Sequence, residues 1–134
     1  MSTVLATQLA APRSRRPAPI DRLQVSLTAP SDAVTLCAVA GEVDSYTADI
    51  LRNSLIGSLP TASPTIVIDL SMVTFFGVAG LRVLIEARSR VGHSGRHMRL
   101  VTGSRCVDRL LEVAGDAADF ETRPDLAAAV LDVA

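Results

Sequence analysis

The stretch TIVIDLSMVTFFGVAGLRVLIEARSR, running from Thr65 to Arg90, decides how this chain of 134 residues is read. Ile66, Val67, Ile68 and Leu70 form a short apolar run rich in β-branched residues and interrupted by Asp69, the pattern of a strand covered by helices. Leu81, Leu84, Ile85 and Arg88 then recur at spacings of three and four. That spacing predicts a helix with one packed stripe, leaving Arg82, Glu86 and Arg90 in water. Between strand and helix lies a short loop, Phe75-Phe76-Gly77-Val78-Ala79-Gly80. Its two glycines permit backbone conformations or close approaches that a β-carbon would obstruct, and the following helix presents free backbone N–H groups at this edge. Function is expected at the loop.

A single domain of this length buries roughly two-thirds of the unfolded chain's surface, so no disulfide or metal staple is required. Hydrophobic residues make up 49% of the chain, with 3 Phe, 1 Tyr and no Trp, so Val, Leu, Ile and Ala must build the core. Thin layers of helix on sheet suit such a core. All 13 basic residues are arginine, and a formal net charge of −1 gives no global reason to expect nucleic acid as a direct partner. Cys37 and Cys106 lie far apart and belong to no metal-type cluster, which points to a reduced cytosolic protein; a redox-regulated pair is the other option. No run approaches the roughly 18 apolar residues of a membrane span. Val4, Leu5 and Leu9 precede Arg13, Arg15 and Arg16, the reverse of a secretory signal, so no membrane insertion and a cytoplasmic location are expected.

Proline and like charges in Ala11-Pro12-Arg13-Ser14-Arg15-Arg16-Pro17-Ala18-Pro19 oppose helix and strand alike. Residues 1–20 are therefore expected to be a disordered tail and residues 21–134 a single domain. Leu23, Val25 and Leu27 alternate with polar residues, a turn follows at Ala29-Pro30-Ser31-Asp32, and Val34 to Val39 completes an antiparallel hairpin. A helix with Ile50, Leu51, Leu55 and Leu59 as its stripe follows, with Asp44 or Ser45 as N-cap. Beyond the Thr65–Arg90 unit, Gly92-His93-Ser94-Gly95 reads as a loop and Met98 to Thr102 as a strand. Gly103-Ser104 opens a helix packed through Cys106 or Val107, Leu110, Leu111 and Ala114 and ended by Gly115. Phe120 is placed in a short edge strand, and Pro124 in the first turn of a last helix through Leu126, Val130 and Leu131. Right-handed crossovers then give an α/β fold, a mixed and mostly parallel sheet of four to five strands with helices mainly on one face. The opposite face is partly apolar and needs covering, by hairpin and tail or by a partner.

The central segment resembles the signature of the STAS domain, the module shared by bacterial anti-sigma factor antagonists and the cytoplasmic tails of sulphate transporters. Asp69-Leu70-Ser71, Val73, Thr74, Phe75, Gly80 and Leu81 match the antagonist pattern, and Gly41-Glu42-Val43-Asp44 with Thr47-Ala48 is a second, independent match. The resemblance implies the STAS fold for residues 22 to 134. It also implies a non-enzymatic anti-sigma factor antagonist that binds an anti-sigma factor of the serine kinase fold and thereby releases a sigma factor. The implied partner-binding residues are Asp44, Ser45, Gly77, Val78, Ala79, Gly80, Leu81 and Arg82. Three positions depart from the pattern: Gly77 stands where the family usually has aspartate, Val78 where the first serine falls, and Ala79 where antagonists carry the serine that the kinase phosphorylates. A methyl group accepts no phosphate. The alternative is a STAS module of a transporter or signalling assembly, with the loop adapted to a small anion or lipid partner.

Other constellations carry less. Asp44, Asp69 and Ser71 are expected near the loop, yet carboxylates without histidine support are more often caps and turn formers, and no metal is assigned. His93 and His97 read as solvated loop residues, because Gly95 between them opposes a helical ligand pair. Ser71 and Thr74 flank the loop and are weak alternative phosphoacceptors. No nucleophile with a base, Walker loop or dinucleotide fingerprint is present, so no catalytic residue and no cofactor are assigned. Arg82, Arg88, Arg90, Arg96 and Arg99 face only Glu86 while Asp108 to Asp132 is mainly acidic, an asymmetry suited to orienting a protein partner or to ordinary solvation.

Overall fold

Alternating and three-to-four periodicities settle into one sheet with helices on both faces. The computed structural model describes residues 19–115 and 119–131, so the expected tail lies, up to residue 18, outside the described residues. A helical turn, α1 (Pro19–Arg22), feeds β1 (Leu23–Ser31), which returns as β2 (Val34–Val43). Next come α2 (Ala48–Ser58), a 3-10 turn at Leu59–Thr61, β3 (Thr65–Phe76) and α3 (Val78–His93). β4 (His97–Val101), α4 (Arg105–Ala114), β5 (Glu121–Arg123) and α5 (Leu126–Leu131) complete the order. The sheet follows chain order, with β1 antiparallel to β2 and every later neighbour parallel. Parallel neighbours need a crossover, and the helices supply it.

Because side chains alternate along a strand, the two faces carry different sets. Cys37, Val39, Ile66, Ile68 and Leu70 meet Leu51, Leu55, Leu84 and Leu111 of α2, α3 and α4. On the other face Val34, Val67 and Val101 bury Ala129, with Leu126 packed alongside. α5 is thus a cover for the second face that the sequence reading did not consider. The packed stripe of α3 is also broader than its first heptad suggests, since Val83, Ala87 and Val91 are buried with Leu81 and Leu84. Arg88 is half-buried and stacks over the Phe120 ring at 4.4 Å.

Several boundaries move for local reasons. Ala29 and Pro30 belong to β1, whose register shifts between Thr28 and Ser31, so the hairpin turns at Asp32 and Ala33. α3 continues through Gly92 and His93, because the Ser94 hydroxyl and backbone N–H both close onto Val91 O and cap it. His97 opens β4 instead of lying in a loop. Phe120 precedes β5 and is buried under Arg88, while Pro124 lies ahead of α5. Asp125 Oδ1 accepts the Ala128 N–H at 2.9 Å at the start of that helix. Gly115 ends α4 as expected, at a φ of 76° in the left-handed region.

The largest shift concerns β3. It runs to Phe76, so Phe75 and Phe76 are strand residues and Val78, Ala79 and Gly80 are already helix. Two irregularities in the pairing with β2, between Ala38 and Ala40 and between Gly41 and Glu42, let the strand continue past Asp69-Leu70-Ser71. Gly41 stands at the second of these: its φ is 110°, and a β-carbon there would lie 2.1 Å from the Arg22 carbonyl oxygen.

A candidate protein-binding edge

The Gly77 N–H donates to Val43 O at 2.8 Å, which ties the ends of β2 and β3 together. The turn that follows β2 and the first turn of α3 therefore emerge side by side. Gly80 sits at their join with no room for a side chain: a β-carbon would lie 2.6 Å from Val43 Cγ1 and 2.8 Å from Phe76 Cε1. Its absence of side chain serves close packing, since neither Gly77 nor Gly80 adopts a positive φ.

Asp44 organises the neighbouring turn. Oδ1 accepts the Tyr46 N–H at 2.9 Å, the Thr47 N–H at 3.0 Å and the Thr47 hydroxyl, while Oδ2 accepts from Arg22 Nη2. Thr47, fully buried, accepts the Asp44 N–H at 3.0 Å and lies 2.8 Å from Glu42 O. Asp44 or Ser45 was expected as the N-cap of the helix; the N-cap is Thr47, ahead of Ala48, and Asp44 caps the turn before it. Desolvation pushes the Asp44 carboxyl up, but Arg22 and the Thr47 and Tyr46 N–H groups outweigh it and hold the group below its ordinary value.

The expected contact residues separate by exposure. Asp44 is half-buried and Ser45 exposed on one turn; Val78 and Arg82 are exposed, and Gly77 and Ala79 half-buried, on the other. Gly80 and Leu81 are buried beneath them as support. Asp69 and Ser71 are not at this edge. Asp69 pairs with Ala38 and Val101 in the middle of β3 and accepts the Ser71 hydroxyl at 2.7 Å and N–H at 3.0 Å. Thr74 also lies on β3, donating to Gly41 O at 3.3 Å. Most of the arginine row has internal work: Arg88 donates to Asp119 O, Arg96 to Leu59 O and Ala62 O, and Arg99 to Glu121 and Ala129 O. His93 Nδ1 lies 2.7 Å from Ser89 O at the end of α3.

Burial pushes the Cys37 thiol up to about 12, and both cysteines are free. Cys106, in the first turn of α4, lies 3.0 Å from Ser104 Oγ. Among the described residues, no helix is long and apolar enough to cross a membrane.

Sequence reasoning missed three features of the edge. Tyr46 and Met72 are 51% and 68% exposed, and Phe75, counted only as a motif residue, is 52% exposed. The lone tyrosine in a turn was a usable signal; the exposure of Met72 and Phe75 depends on the irregular strand pairing, which no pattern of residues announced.

A sheet in chain order with helices on both faces, ending in an exposed apolar helix start beside an aspartate-organised turn, defines a class of small α/β domains. Residues 26–129 match the model of the STAS domain, and the chain belongs to that family. It is 35% identical over 74 residues to the anti-sigma-F factor antagonist RsfB of Mycobacterium tuberculosis, a match covering 54% of this chain. The chain spans about three-fifths of that relative's length, 60%. The crystal structure of an anti-sigma factor antagonist from Mycobacterium paratuberculosis superposes with a TM-score of 0.78 at 27% identity, over 84% of this chain and 95% of the other. The phosphorylated Bacillus cell fate determinant SpoIIAA shares the fold, with a TM-score of 0.62 at 13% identity over 79% of this chain and 96% of its own.

Proposed function

We propose that this chain is a non-enzymatic, cytoplasmic anti-sigma factor antagonist that binds a kinase-fold anti-sigma factor through the edge formed by the Asp44 turn and the start of α3. Relatives named as antagonists support the class of activity. The observation that carries the site is the placement of Val78 and Ala79: an apolar first helical turn, locked to the Asp44 turn through the Gly77–Val43 hydrogen bond. Asp44, Ser45, Gly77, Val78, Ala79 and Arg82 make the contact, supported from beneath by Gly80 and Leu81.

Ala79 sets the regulation. In phosphorylatable members a dianion at this helix start adds repulsion and desolvation cost across the interface and releases the partner. Here the methyl group of Ala79 removes that switch, so the complex is controlled by expression, competition or redox state. The test is a calorimetric titration of purified kinase-fold anti-sigma factors from the same genome into wild type and Ala79→Asp. Wild type is expected to bind one of them, and Ala79→Asp to bind at least 100-fold more weakly, roughly the cost of an uncompensated buried charge. Absence of binding by wild type, or equal binding by both, overturns the proposal.

A further inference from the structure

The one tyrosine of the chain is 51% exposed. Its N–H donates to Asp44 Oδ1, and its ring centroid lies 5.5 Å from the guanidinium carbon of Arg22. Arg22 is 11% exposed; Nε and Nη2 donate to Glu42 Oε1 at 3.0 and 2.6 Å, and Nη2 donates also to Asp44 Oδ2. Nη1 is buried without a hydrogen-bond partner. A buried donor left unpaired is a cost that native structures avoid. The guanidinium faces two carboxylates and an aromatic ring. Arg22 lies ahead of the segment that matches the family model, residues 26–129.

A second observation extends the surface. Met72 and Phe75 pair with Ala40 and Glu42 on the sheet face away from α2, α3 and α4, and both are exposed. The Phe75 ring reaches the helix start, with Cε2 3.3 Å from where a Gly77 β-carbon would stand, and Val78 follows at 56% exposure. Apolar surface thus runs from Met72 through Phe75 to Val78, beside the turn that carries Tyr46. Its rim is acidic, since Glu42 and Asp44 share the single charge of Arg22.

Resting on the antagonist reading, we infer that Tyr46 is the anchor of the partner interface and that Arg22 is the positioning residue that presents its ring. The partner offers an apolar pocket for the phenol ring, continued over Met72, Phe75 and Val78, with a basic rim facing Glu42 and Asp44. Aromatic anchors dominate binding energy at such interfaces. A ring already stacked on a guanidinium loses little further freedom on docking, so the interaction is preorganised.

The test titrates the same purified anti-sigma factors into Tyr46→Ala, Tyr46→Phe, Arg22→Met and Arg22→Lys, with Val113→Ser on exposed α4 surface as control. Tyr46→Ala is expected to weaken binding at least about tenfold, as hot-spot truncations do, with Tyr46→Phe close to wild type. Arg22→Met is expected to weaken it with unchanged saturation, and Arg22→Lys to recover part of the loss. Because there is 1 Tyr in the chain, its ring gives one set of NMR signals, which Arg22→Met should shift in the free protein. Binding by Tyr46→Ala within about twofold of wild type while Ala79→Asp abolishes it overturns this inference and leaves the antagonist reading standing. Identical tyrosine signals in wild type and Arg22→Met overturn the positioning role. If wild type binds no anti-sigma factor, both the reading and the inference fall.

Discussion

The two halves of β3 share one backbone and one partner strand, β2, but they meet different surroundings. From Thr65 to Leu70 every residue except half-buried Asp69 is buried, because α2, α3 and α4 cover one face, α5 the other, and β4 pairs along the edge. From Ser71 to Phe76 only Val73 and Phe76 are buried, while Met72 and Phe75 stand in solvent. β4 no longer pairs there, and Ser104 Oγ instead donates to Val73 O at 2.8 Å. The first half builds the fold; the second carries its surface to the edge where the partner is proposed to dock. Exposure within a single strand is decided by what covers it, not by the residues' own hydrophobicity.

Truncating the first half should break this contrast most visibly. Leu70→Ala removes a fully buried side chain, and a loss of about 2–5 kcal/mol is expected in urea unfolding. A change under about 1 kcal/mol would mean that this half is not the core. Gly80→Val comes next. Forcing a side chain against Val43 and Phe76 should cost about 1–3 kcal/mol by overpacking and loosen the edge at the same time.

Met72→Ser and Phe75→Ser sharpen the comparison from the other side. Each should change unfolding stability by about 0.5 kcal/mol or less, the usual size for exposed positions, while weakening partner binding. A stability loss as large as that of Leu70→Ala would erase the distinction between the halves.

The smallest effect concerns pH. Asp44 has its folded pKa depressed, so its contribution is present above the unfolded aspartate value of about 3.9 and is lost as pH falls through the lower folded value. In acid titrations monitored by circular dichroism, Asp44→Asn should flatten the stability profile below about pH 4 relative to wild type. Parallel profiles would show that the fold does not depress the Asp44 carboxyl group's pKa.

Much of the first half of β3 was legible in advance. Ile66, Ile68 and Leu70 with the three-and-four spacing of Leu81 and Leu84 state a covered strand and its helix, and two short motifs agree on one family. The length of β3 was not legible, because it goes with pairing irregularities around Gly41, and no local pattern of residues announces these. Asp44 was recognised as important, yet its ionic partner stands 22 residues earlier and no local pattern links them. α5 was expected from periodicity, but a helix of that kind does not reveal which sheet face it takes. Ser71 and Thr74 seemed to flank a loop only because the strand was read as ending too soon.

The most direct test is to incubate the purified complex of this chain and the proposed kinase-fold anti-sigma factor with magnesium ATP, reading phosphate incorporation by mass spectrometry and association by size-exclusion chromatography. The wild-type chain is expected to gain no phosphate and stay bound, and an Ala79→Ser variant to be phosphorylated and released. Phosphate appearing on wild type at Ser71 or Thr74, with dissociation of the complex, would contradict that expectation.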